Sequence, residues 1–196
     1  DNVDWPGTNL HFFITYVPYT PGAPYGQDGR WRWAFHDLDD TLAIGSGDNN
    51  HNSLVDATAT NGPEWPNPEW STLFLRKFLE NPEFKTNFIN RFADLLNTSY
   101  LSSRSVSILE SYKNAIAGEI NGHLERWQTI SQSDLEWFHD WETNFLNERP
   151  AFQRNHIRSK FTITSNINAT LNVSDASHGY IHMNTIDVKD GTPGIV

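Results

Sequence analysis

The sequence predicts an α+β fold in which a β-hairpin near the start of the chain packs on a mostly helical bundle, followed by a short β-rich C-terminal tail. Three observations carry this. Trp31, Trp33 and Phe35 alternate with Arg30, Arg32 and Ala34, the period of two expected of a strand with one packed face. From about position 69 to 150, apolar residues recur instead at steps of three and four, the helical period. After Phe161 the alternation returns in FTITSNINATLNV and GYIHMNTIDV, which predicts strands.

Taken in order, an aromatic and β-branched run over 10–17 gives the first strand. The segment PYTPGAPYGQDG then supplies Pro, Gly and Asp turn chemistry, so the hairpin has a long tip, and its second strand delivers Asp37 at its end. Residues 45–68 are rich in Gly, Asn, Asp, Ser and Pro without a sustained period, which predicts a long surface loop. Two helices follow, separated at Asn81-Pro82, an N-cap with a first-turn proline. A third is expected over about 103–127, bent at Gly118 or Gly122. A fourth is expected from about Ser133, where Ser-Asp-Leu-Glu resembles a capping box, and a shorter helix after Pro150. The Trp and Phe residues at helical spacing are expected in the core. Glu119, His123 and Arg126 lie on neighbouring turns, a spacing that permits a buried polar network of structural role. His178 and His182, within a predicted strand, share a face but stand too far apart to chelate a metal easily.

Composition bounds the function. With 196 residues, 37% of them hydrophobic and 13% aromatic, the chain can bury a substantial core. A net charge of −10 with only 14 basic residues spread along the chain argues against nucleic acid as a partner, because phosphate neutralisation needs clustered Lys and Arg. No stretch reaches the roughly 18 apolar residues of a membrane span. The absence of Cys removes disulfides, thiolate metal sites and Cys nucleophiles.

Chemistry concentrates at two places. Asp37, Asp39 and Asp40 fall within four residues at a strand end in WAFHDLDDTLAIG. Like charges so close raise one another's pKa unless a cation neutralises them, and hard oxygen donors favour Mg²⁺, Mn²⁺ or Ca²⁺. In DNVDWPGTNLHFF, Asp4 and Asn9 have the D-x-x-x-x-N spacing at which protein kinase catalytic loops place a base and a metal-binding amide. Asn2 either orients that loop or is simply a turn-forming residue.

Alone, DLDDTL resembles the first motif of the haloacid dehalogenase phosphatases. Those enzymes continue into alternating strands and helices, whereas a long loop and a helical region follow here. The wider set NVDWPGTN, DGRWRWAFHDLDDTLAIG, NPEFKTNFINRFADLLNTSYL and EINGHLERW, in this order, resembles the CotH kinase family of atypical, secreted or surface-associated protein kinases, named for a spore coat protein. The resemblance implies that residues 1–161 are the C-terminal part of a kinase domain, its helical bundle a kinase-like C-lobe, and that 162–196 begin a β-rich module. It makes Asp4 the catalytic Asp and Asn9, Asp37 and Asp39 metal-binding residues, with ATP and Mg²⁺ or Mn²⁺ as cofactors. Asp40 stands where an apolar or small residue is expected.

The resemblance further implies phosphoryl transfer to hydroxyls of a protein substrate and an extracellular, cell-surface or periplasmic location in a bacterium. The Lys that anchors the nucleotide phosphates and its acidic partner would lie upstream of the Asp4 turn, so the chain as given is expected to be a fragment, inactive by itself. A different class of function is a catalytically inactive surface or interaction module that uses the acidic loop to bind a cation or a partner.

Overall fold

A computed structural model describes residues 2–61, 68–189 and 191–192. Residues 62–67 of the expected loop and most of the final DGTPGIV stretch lie outside them. About 45% of the chain is helical, and two small antiparallel hairpins complete an α+β fold. The chain divides into two compact units, Asp1–Lys77 and Phe78–Val196.

In the first unit β1 (Leu10–Phe13) pairs antiparallel with β2 (Arg32–Phe35), Leu10 opposite Phe35 and Phe13 opposite Arg32. The tip between them is closed around Asp28, a buried carboxylate that accepts from Arg30 Nε and Arg32 Nη2, both at 2.7 Å. Thr20 N–H donates to the Asp28 carbonyl across the tip at 3.0 Å. Gly29 sits at φ +74°, where a Cβ would come within 2.5 Å of the Val17 carbonyl oxygen, so no other residue fits there.

The segment after β2 is not the surface loop its composition predicts. Ala43, Leu54, Ala57 and Thr58 are buried, and a short helix α1 (Ser53–Asp56) forms, with Asn52 Oδ1 accepting from Val55 N–H at 3.2 Å. Thr72, in a 3-10 turn over Glu69–Thr72, donates from Oγ1 to the Ala59 carbonyl at 2.6 Å and accepts from Arg76 Nε at 3.0 Å. Side-chain hydrogen bonds to backbone thus replace the regular ladder that this polar composition cannot build.

The second unit follows a short helix α2 (Leu73–Phe78). Its first helix, α3 (Pro82–Asn97), starts as expected: Asn81 Oδ1 accepts from Glu83 and Phe84 N–H at 2.9 and 3.0 Å, with Pro82 in the first turn. The third expected helix breaks rather than bends, into α4 (Ser102–Ile116) and α5 (Ile120–Trp127). Gly118 lies in the break with open space around its α-carbon, so its helix penalty of about 1 kcal/mol meets no packing that would offset it.

The fourth and fifth expected helices are one, α6 (Gln132–Phe161), running through Pro150. Proline in a helix interior costs about 3 kcal/mol, which tertiary packing here overrides. Phe145, Arg149 and Ile157 are buried on either side of it, and Arg149 lies 5.7 Å over the Phe145 ring while donating to Gln153 Oε1 at 3.1 Å. The capping box is present but two residues early: Ser131 Oγ accepts from Asp134 N–H and Asp134 Oδ2 accepts from Ser131 N–H.

Four further expectations change. Residues 163–180 form no strand despite their alternation, and pairing is confined to β3 (Ile181–Met183) and β4 (Ile186–Val188) around an Asn184-Thr185 turn. Alternation needs a partner strand, and none is present for 163–180 among the described residues. His178 precedes β3, and His182 pairs across the hairpin with Asp187 at 2.8 Å, which draws the Asp187 carboxyl below its ordinary range. Glu119, His123 and Arg126 are all exposed, so they form no buried network; Arg126 stacks 5.0 Å over Trp127. Nor are the helical aromatics all core: Phe145 is buried, but Phe74, Trp127 and Trp137 are each more than half exposed.

Candidate active site at the open end of the hairpin

Antiparallel register decides which residues meet. Because Leu10 pairs with Phe35, the chain entering β1 and the chain leaving β2 lie side by side, and they carry Asn9 and Asp37. Both have left-handed backbone, φ +43° at Asn9 and +50° at Asp37, a conformation that Asn and Asp tolerate better than other side chains. The two motifs, separated by 28 positions of sequence, therefore converge at one end of the hairpin, away from the Asp28 tip.

Asn2 ties them together. Its Oδ1 accepts from Asp4 N–H at 3.0 Å and Trp5 N–H at 3.1 Å, and its Nδ2 donates to the Asp37 carbonyl at 3.0 Å. One amide side chain thus closes the 2–5 turn and ties it to the strand exit. Asn9 Nδ2 faces Asn2 Oδ1 and Asp4 Oδ2, each at 3.4 Å, and Thr8 N–H donates to the Asp4 carbonyl at 2.9 Å. Asp4 and Asn9 are half-buried, whereas Asp37 and Asp39 are exposed.

Electrostatics mark the same place. The Asp37 carboxyl is pushed above its ordinary range, first by a hydrogen bond with Asp39, then by the Asp39 charge and partial desolvation; His36 opposes this and Asp4 adds to it. A carboxylate raised by a neighbouring carboxylate is the arrangement that a hard cation would relieve by taking up the excess negative charge. Among the described residues no group of three or more His, Cys, Asp or Glu side chains is arranged to hold a metal. The donor set is nonetheless of a kind that suits Mg²⁺, which binds through one or two carboxylates and fills its remaining positions with water and phosphate oxygens. Asp37 and Asp39 would be those carboxylates. Asp40 is half-buried and faces Gly45.

Two contributors escaped the sequence reading. Gly45 is required by close approach: a Cβ there would stand 2.6 Å from Val3 Cγ2 and 3.4 Å from Asp40 Cβ, so the 2–5 turn packs directly on the segment after the acidic cluster. His36 stacks on His11 with ring centroids 4.1 Å apart, placing an imidazole pair beside Asp37. The Gly within LAIGSG and the His-Asp pair in FHDLDD are the only sequence signals of either.

A family model described as CotH kinase protein matches residues 2–153. That span covers most of the chain and includes Asp4, Asn9, Asp37 and Asp39. No curated protein and no solved structure matches. The chain belongs to the CotH kinase family.

Proposed function

We propose that this member of the CotH kinase family is part of an atypical protein kinase that transfers the γ-phosphate of ATP to hydroxyl groups of a protein substrate with the help of Mg²⁺ or Mn²⁺. The observation that carries the reading is the convergence of the D-x-x-x-x-N turn and the D-x-D turn at one hairpin end, linked by Asn2. Asp4 is the base: its carboxylate would accept the proton of the attacking hydroxyl, and a proton acceptor fixed in place contributes about 10²- to 10⁴-fold to rate. Asn9 holds Asp4 through the amide contact and offers its carbonyl oxygen beside it. Asp37 and Asp39 are the carboxylates for the metal, and Asn2 is a positioning residue that keeps Asp4 and Asp37 in register. A divalent ion bound there would neutralise charge on the phosphate oxygens during transfer.

In this reading residues 1–161 are the C-terminal part of the kinase domain and 162–196 open a β-rich segment. An extracellular, surface or periplasmic setting in a bacterium accompanies it. The test is transfer of radiolabelled γ-phosphate by the full-length protein with Mg²⁺ or Mn²⁺, comparing wild type with Asp4→Ala and Asp37→Ala. Label transferred by wild type and by neither variant is the expected result. Silence from all three, with folding and cation binding intact, would replace the kinase reading with that of a cation-binding interaction module.

A further inference from the structure

Asp94, on the last turn of α3, is 1% exposed, and nothing in the proposed transfer chemistry uses it. Burying a carboxylate is costly unless its oxygens are hydrogen-bonded. Its donors come from about 90 positions away: Asn184 Nδ2 to Oδ1 at 3.0 Å, and Thr185 N–H and Oγ1 to Oδ2 at 2.9 and 2.6 Å. All belong to the turn between β3 and β4. Arg91, one turn earlier on α3, donates from Nη1 to Thr185 Oγ1 at 3.1 Å, so the hydroxyl is held from both sides. Thr98 Oγ1 donates to the Asp94 carbonyl at 2.6 Å and secures the end of the helix that carries the carboxylate.

The arrangement is asymmetric in sequence. Asp94 and Arg91 lie inside the region matched by the family model, which ends at residue 153, whereas Asn184 and Thr185 lie beyond it. Between α6 and β3 runs an irregular, mostly exposed segment, residues 163–180, that serves as a strap. We propose that the β3–β4 hairpin is a latch: its Asn184-Thr185 turn docks on Asp94, so that the tail closes over the end of α3 while the other helices hold without it. Without the turn, the only described donors to the carboxylate are lost, and Asp94 must hydrate or draw the end of α3 open.

The turn can be altered without touching the helices. Asn184 sits at φ +50°, so Asn184→Gly keeps the backbone conformation while deleting the amide, and Thr185→Val keeps the shape while deleting the hydroxyl. Hydrogen exchange read by mass spectrometry on the full chain compares wild type with the double variant. The expected result is a loss of protection of roughly tenfold or more in peptides covering 181–188 and the end of α3, with faster proteolysis in 163–180, while α4 and α6 exchange as in wild type. Protection within about twofold of wild type would overturn the latch and leave apolar contacts such as that of buried Val188 as what holds the hairpin. Loss of protection throughout α4 and α6 would overturn it too, by making the turn a requirement for folding.

Discussion

The two ends of the N-terminal hairpin each carry an aspartate, and the two respond oppositely. At the tip, burial alone would raise the Asp28 carboxyl, yet hydrogen bonds from Arg30 and Arg32 outweigh it and hold the group at about 2. At the open end, Asp37 meets Asp39 and Asp4, and its carboxyl is pushed upward. Asp28 is complete within the chain: its charge, its donors and its burial match. Asp37 is incomplete, because its strongest neighbour is another carboxylate, Asp39, which His36 does not offset. A hairpin with an 18-residue tip is thus pinned at that tip and left electrostatically open where its strands begin and end.

The largest effect that should break this comparison is at Asp4. Asp4→Ala in the full-length protein is expected to lower phosphate transfer by at least about 10²-fold with little change in thermal stability, the pattern of a lost base. Asp37→Ala should cause a comparable loss and also abolish the dependence of rate on Mg²⁺ or Mn²⁺ concentration in the accessible range. Gly45→Ala inserts a methyl against Val3 and displaces the 2–5 turn without removing a catalytic group. Its expected outcome is an activity loss of up to about tenfold, since small misplacements of reacting groups are costly, with Asp28 unaffected.

The smaller effects are on stability, and their pH dependence has opposite sign at the two ends. Asp28 has a folded pKa below its ordinary 3.8, so its contribution is present above pH 3.8 and disappears as pH falls toward about 2. The stability difference between wild type and Asp28→Asn, measured by denaturant unfolding, should therefore shrink through that window. Asp37 has a raised folded pKa, so the folded state is favoured by its protonation at low pH, and that advantage is lost as pH rises through the raised value. Asp39→Asn should remove this loss and leave the metal-free protein slightly more stable at neutral pH.

Some elements of each unit were legible because their signals are local. The period-two run of Trp31, Trp33 and Phe35 gave β2, and Asn81-Pro82 gave the start of α3, since a cap acts within one turn. Pro150 misled because its cost is local while its compensation, the packing of Phe145, Arg149 and Ile157, is tertiary. Residues 163–180 alternate as strands do, but alternation specifies a face and not a partner. The loop after β2 looked like surface because its polar composition hides that Thr58 and Thr72 spend their hydroxyls on backbone carbonyls and can be buried.

The candidate site was read as two motifs, Asp4 with Asn9 and Asp37 with Asp39, through spacing and resemblance. That they lie at one end of the hairpin depends on the register of β1 against β2, which a sequence with an 18-residue tip does not fix. The bond from Asn2 to the Asp37 carbonyl, and the demand of Val3 for a glycine at 45, follow from that same register.

The proposed cation binding by the carboxylates at the open end of the hairpin, against a tip that needs none, can be tested by carboxyl carbon NMR. Side-chain signals of Asp28, Asp37 and Asp39 would be followed as Mg²⁺ and a nonhydrolysable ATP analogue are added to the full-length protein. Saturable shifts at Asp37 and Asp39, with Asp28 unmoved, are expected. Shifts at none of the three, or equally at all three, would contradict it.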